Sequence, residues 1–283
     1  MTVGLGADVV VAVLGAALLH ATWNAIAHGM SDRLAGFTLI ALSYTAIGGV
    51  AALCTGPPPA AAWPLILASA GVHVAYQVAL MLSYRLGQFS QVYPLARGTA
   101  PWVVTVLSYV VLRQGVSGWV LAGVLVISAG LTGLVFLGGR PTRRQVPALA
   151  AAFGTGLLIA TYTVIDGVGV HRADVLTYAA WMFLLQGVAV VLLAQAVRGR
   201  ALFAQLRVAP IPGLAGGTLS LIAYGLVLWA QTRGALAPIA ALRETSIIFG
   251  ALIGAVFFRE SLGRGRALAG AVVLAGIVLI NLP

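Results

Sequence analysis

Ten apolar runs, each 18 to 24 residues long, follow one another from residue 8 to residue 282 with only short connections between them. At 1.5 Å per residue such a run makes a helix of about 27–36 Å, matched to a hydrocarbon core about 30 Å thick. The runs cover approximately residues 8–27, 34–54, 63–86, 91–112, 117–137, 147–166, 175–197, 211–232, 237–258 and 265–282. They leave no stretch for a soluble domain, and the alternation of a transmembrane barrel strand is absent. The expected fold class is therefore an all-α polytopic membrane protein with ten transmembrane helices. Composition agrees, with 61% hydrophobic and 8% charged residues, where soluble domains carry about 25% charge.

All of the 16 basic residues are arginines, and the formal net charge is +10. In a soluble chain that excess would point to nucleic acid. Here most arginines fall in connections, so they read as topology signals and no nucleic-acid partner is expected. One side of the membrane collects Arg33, Arg85, Arg140, Arg143, Arg144, Arg198, Arg200, Arg207, Arg259, Arg264 and Arg266; the other holds Arg113, Arg172 and Arg233. The positive-inside rule makes the first side cytoplasmic and puts both termini outside. The first run has no basic segment before it and reads as a retained helix rather than a cleaved signal. A single cysteine, Cys54, excludes an intrachain disulfide.

The two halves of the chain resemble each other. Leu18-Leu19-His20-Ala21-Thr22-Trp23-Asn24-Ala25-Ile26 aligns with Leu157-Leu158-Ile159-Ala160-Thr161-Tyr162-Thr163-Val164-Ile165. Ala75-Tyr76 aligns with Ala223-Tyr224, Leu95-Ala96-Arg97 with Ala241-Leu242-Arg243, Arg113 with Arg259, and Leu121-Ala122-Gly123 with Leu268-Ala269-Gly270. Order is kept at nearly constant offset, as an internal repeat requires. The seam is the charged connection Arg140-Pro141-Thr142-Arg143-Arg144, giving units 1–139 and 140–283 of five helices each. Five is odd, so the second unit enters the membrane from the opposite side. Such inverted repeats place a site at their interface near the midplane.

Polar side chains within the runs mark the candidate site. His20, Trp23 and Asn24 share one helical face, and His73, Tyr76 and Gln77 repeat the spacing. Tyr162 and Tyr224 add aromatic surface, and Tyr93 and Arg97 lie in the polar stretch Ser90–Pro101. An arginine in a membrane-length segment is costly and marks function. Arg97 and Arg243 each lie about 9 Å along their helices, so inverted repeats would set them roughly 12 Å apart in depth, as two levels of one pathway. Glu244 is either the salt partner of an arginine or a proton-coupling or gating carboxylate. Asp8 and Asp166 read as interface residues. Scattered histidines without acidic neighbours make no metal site; no phosphate-binding loop is present, and no cofactor is expected.

The chain also resembles the EamA family of the drug/metabolite transporter superfamily. The resemblance rests on Phe257-Phe258-Arg259-Glu260-Ser261-Leu262 followed by Ala269-Gly270 and Ala275-Gly276, a Glu-x-Leu turn before a glycine-rich last helix. The first unit departs from it, with Gln114 where the glutamate would stand. Leu19-His20-Ala21-Thr22-Trp23-Asn24 is similar to a subset of the family linked with phosphonate use. The resemblance implies a multi-pass secondary transporter of the cell (inner or plasma) membrane, an exporter or permease moving a small anionic or amino-acid-like metabolite by rocking of the two repeats. It also implies termini in the cytoplasm, opposite to the arginine count. Its partners would be the bilayer and a small-molecule substrate, with a proton as one coupling ion and a monomer or homodimer as the assembly. The rival readings are an intramembrane enzyme acting on a lipid-linked substrate through His20, His73 and Glu244, and a membrane scaffold that transports nothing.

Overall fold

The computed structural model describes residues 5–87, 89–136, 142–207, 210–257, 264–280 and 282. Its helices are α1 (Ala7–Gly29), α2 (Arg33–Thr55), α3 (Trp63–Leu86), α4 (Phe89–Val110), α5 (Gly118–Gly133), α6 (Val146–Gly169), α7 (Val175–Arg198), α8 (Ala201–Leu206), α9 (Pro210–Gln231), α10 (Leu236–Leu242), α11 (Ser246–Phe257) and α12 (Arg264–Ile280). No strand occurs among the described residues. The apolar runs and the long helices coincide to within a turn. The short α8 was not expected.

Local chemistry sets several helix ends. Asp32, Ser117 and Asp174 cap α2, α5 and α7 by accepting hydrogen bonds from the backbone N–H groups of Ala35, Val120, and Leu176 with Thr177. Gly56 closes α2 at φ 74°, a backbone angle that suits glycine, and the three prolines behind it stop the helix from continuing.

Among the described residues, eight segments are long and apolar enough to cross a membrane: α1, α2, residues 60–86, residues 118–136, α6, α7, α9 and residues 236–257. Helix α4 falls below that hydropathy because it carries Arg97, Pro94 and Pro101, yet its 22 residues reach about 33 Å. In the last helix only Ala267–Ile280 is apolar. Large apolar side chains such as Leu53, Ile211 and Phe257 stand exposed around the bundle, as a lipid-facing surface requires.

One expected helix is broken. The run at 237–258 is α10 and α11 joined by a 3-10 turn, Arg243–Thr245. Arg97 of α4 reaches into this turn and donates to the Arg243 carbonyl at 3.0 Å, while the Thr245 hydroxyl takes the Leu242 carbonyl at 2.8 Å. A side chain inserted into a helical ladder is a recognised cause of a break.

Packing runs mostly between the two halves of the sequence. Helix α1 lies against α9 and α11, α2 against α7 and α9, α3 against α6 and α7, α4 against α5 and α6, and α5 against α12. The last pair approaches through glycines: a Cβ at Gly123 would meet the Gly276 carbonyl at 2.5 Å, and one at Gly276 the Gly123 carbonyl at 2.8 Å. Of the environments open to the glycine-rich fifth and tenth runs, these faces therefore meet each other. Two ion pairs tie helix ends: Asp8 to Arg233 at 3.4 Å, and Asp32 to Arg198. The seam residues Arg140 and Pro141 and the turn residues Phe258, Arg259, Glu260, Ser261 and Leu262 lie outside the described residues.

Candidate functional site

Helices α1, α2, α3, α4, α6, α7 and α9 and the α10–α11 turn converge on a small, partly open cavity of about 70 Å³. Nine of the twelve residues singled out in the sequence line it: His20, Trp23, His73, Tyr76, Gln77, Arg97, Tyr162, Tyr224 and Arg243.

Its walls are aromatic. The His73 ring stacks on Tyr162 at 3.9 Å between centroids, with Tyr224 edge-on to both rings. Tyr76 meets Tyr162 edge-on at 5.6 Å, and His20 meets Trp23 edge-on at 5.2 Å. Such tilted and stacked pairs fix the rings against one another. The Gln77 amide is oriented by donating to the Tyr44 hydroxyl at 3.0 Å.

The two arginines differ in role. Arg97 is committed to protein: its Nε donates to Glu244 at 2.9 Å, and one terminal nitrogen donates to the Arg243 carbonyl and to Ser246 Oγ. The Arg97 guanidinium thus reaches the backbone of Arg243. Arg243 lies within hydrogen-bonding reach of Tyr162, with its guanidinium carbon 5.6 Å from the centre of the Tyr224 ring. No carboxylate pairs with it among the described residues.

Three candidates stand outside the cavity wall. Asn24 turns back along α1 and donates to the His20 carbonyl at 2.8 Å. Tyr93 lies within hydrogen-bonding reach of Ser246, beside the arginine clamp. Glu244 is 2% exposed and faces Arg97 rather than the cavity. His20, His73 and Glu244, the set a lipid-processing enzyme would need, hold separate partners: Trp23, Ser69 and Arg97.

Other residues enter that the sequence did not single out. Phe37 and Tyr44 of α2, Phe183 and Gln186 of α7 and Ser220 of α9 complete the wall. Gln186 lies one helical turn from Phe183, a spacing visible in the sequence, and its buried side-chain oxygen has no hydrogen-bond partner among the described residues. Asp166 is a larger correction. Rather than lying at an interface it is fully buried, accepting from Tyr178 at 2.8 Å and from Tyr224. Helix α6 runs past it to Gly169, and α7 and α9 close over it.

Comparison with known proteins agrees with the fold. A solved crystal structure superposes with a TM-score of 0.74 over 96% of this chain and 96% of its own, at 17% sequence identity. No curated protein matches the sequence. Residues 146–282 match the family described as EamA-like transporter family. That match spans the second half of the chain; together with the multi-span all-helical architecture it supports a membrane transporter of the drug/metabolite type.

Proposed function

We propose that the protein is a secondary transporter in which units 1–139 and 140–283 form inverted repeats and rock about the central cavity to carry a small anionic or amino-acid-like metabolite. The observation that carries the reading is Arg243, a buried cation on an aromatic cavity wall with no carboxylate in contact among the described residues. A carboxylate or phosphoryl group of a solute would supply the missing charge, with bidentate geometry available. The tyrosine, histidine and tryptophan rings would bracket its body.

The packing scheme supports the repeat. Exchange α1 with α6, α2 with α7, α3 with α9, α4 with the α10–α11 helix, and α5 with α12. The α3–α6 contact then becomes α9–α1, the α4–α6 contact becomes α11–α1, and α2–α9 becomes α7–α3. The α2–α7 and α5–α12 contacts map onto themselves. A two-fold relation between units is what alternating access needs. Arg97 and Glu244 join α4 to the α10–α11 turn, two elements that this exchange interchanges, so the pair acts as a gate clasp.

Flux of radiolabelled organic anions and amino acids into proteoliposomes tests the proposal. Arg243→Gln is expected to lower flux of the transported solute about 10- to 100-fold, the equivalent of a charge-assisted hydrogen bond worth roughly 1.5–3 kcal/mol. Unchanged flux in Arg243→Gln would remove the binding role of that residue. Absence of any flux together with turnover of a lipid would replace the transporter with an enzyme.

A further inference from the structure

Asp166 holds a position that solute binding does not use. It is a fully buried carboxylate, three residues from the end of α6. Its two oxygens are divided between two phenols: Oδ1 accepts from Tyr178 and Oδ2 from Tyr224. Phenols replace water's hydrogen bonds but bring no compensating charge. The titratable and charged groups around it can be named element by element. His73 comes from α3, Tyr162 from α6 itself, Tyr178 from α7, Tyr224 from α9 and Arg243 from the α10–α11 turn. Arg97 of α4 is engaged by Glu244. No cation lies within ion-pair distance of Asp166 among the described residues. Its charge can therefore change without breaking a salt bridge, which Glu244 cannot do.

The two phenols are not equivalent. Tyr178 is fully buried, with its ring against Gly169 where a Cβ would overlap it. Tyr224 is half-buried and forms part of the cavity wall. A second connection also reaches the cavity: Tyr178 lies within hydrogen-bonding reach of Ser69, whose carbonyl and hydroxyl meet His73 Nδ1 at 3.0 and 3.2 Å. With Nδ1 protonated, His73 donates to Ser69 and the Ser69 hydroxyl is free to donate to Tyr178.

We propose that Asp166 is a proton-binding site whose occupancy sets the direction of the Tyr224 hydroxyl in the cavity wall. A proton from cavity water forms an O–H bond at Oδ2, leaving a neutral carboxyl. That oxygen becomes a donor, so the Tyr224 hydroxyl turns from donating to Asp166 to accepting from it, or turns its own proton toward the cavity. Loss of the proton to water restores the starting arrangement. Tyr178 keeps its bond to Oδ1 throughout. Proton binding thereby changes what the wall beside Arg243 offers a solute. This consequence rests on the cavity being the transport site; the proton site itself does not.

The test needs no solute. Infrared spectra of the full chain in lipid nanodiscs, recorded across a pH titration, report the carbonyl stretch of protonated buried carboxyls. A titrating band is expected that shifts with aspartate-specific ¹³C labelling, does not shift with glutamate labelling, and is lost in Asp166→Asn. Tyr224→Phe is expected to move its midpoint and leave it present. Persistence of the full band in Asp166→Asn, or its shift with glutamate labelling, overturns the site. An unmoved midpoint in Tyr224→Phe overturns the switch. If Asp166→Asn does not fold, the labelled parent and Tyr224→Phe still decide. Failure of solute flux would leave this titration intact, so the two readings fail separately.

Discussion

Breaking the Arg97–Glu244 clasp should be among the most damaging single changes to this protein's stability. Both side chains are almost wholly buried, 5% and 3% exposed. Their charged atoms are 2.9 Å apart, an attraction of about 6 kcal/mol at an effective dielectric of about 20, before desolvation is subtracted. Removing one partner strands the other as an uncompensated buried charge, which costs about 3–5 kcal/mol. Arg97→Gln also frees the Arg243 carbonyl and Ser246, so it should lie at the upper end of that range. Ser246→Ala removes one bond to the guanidinium and the contact with Tyr93, and should cost about 1.5–3 kcal/mol. Replacing both charged partners, Arg97→Leu with Glu244→Leu, should cost about 2 kcal/mol less than the sum of the single changes. Reversible unfolding in mixed detergent micelles, followed by tryptophan fluorescence, gives each value. Arg97→Gln within about 1 kcal/mol of the parent, or strict additivity of the pair, would refute the reasoning.

Gly123→Ala should destabilise by about 1–3 kcal/mol, because its Cβ would meet the Gly276 backbone, which cannot move as a side chain can; thermal unfolding in detergent checks it, and a neutral result would mean that α5 and α12 are not closely packed. Outside the membrane, the Arg198 guanidinium holds the Asp32 carboxyl below the usual carboxylate range. A depressed folded-state value means that the contribution is present above the unfolded value of about 3.9 and is lost as pH falls through the folded one. Arg198→Gln should accordingly flatten the acid limb of the stability–pH curve, whereas Asp32→Asn should flatten it while keeping the helix cap. Trp181→Phe should cost about 1 kcal/mol by removing the indole donor to the Gly56 carbonyl at 2.8 Å, read in the same unfolding assay.

Much of the fold was legible in the sequence because a bilayer imposes a one-dimensional rule. An apolar run of membrane length has to be helical, since only a helix satisfies its own backbone in lipid. The placement of α1 to α7 and α9, and the membrane class of the chain, follow from that rule alone. The faces bearing His20 with Trp23, and His73 with Tyr76 and Gln77, were legible through helical spacing, because a polar side chain within an apolar run has to turn away from lipid. The same rule hides which helices touch. A helix that is apolar all round shows no buried stripe, so nothing in the runs marked α2 against α7 or put Tyr44, Phe183 and Gln186 on the cavity wall.

Tertiary packing decided the charges as well. Hydropathy could not show that Arg97 reaches a carboxylate 147 residues away, that this reach breaks the helix at Arg243–Thr245, or that Asp166 is sealed by two tyrosines from other helices. Each depends on which side chains lie within three ångströms across a helix interface. Apolar length determined what crosses the membrane; only the crossing of helices, set by small residues such as Gly123 and Gly276, determined where the polar groups meet.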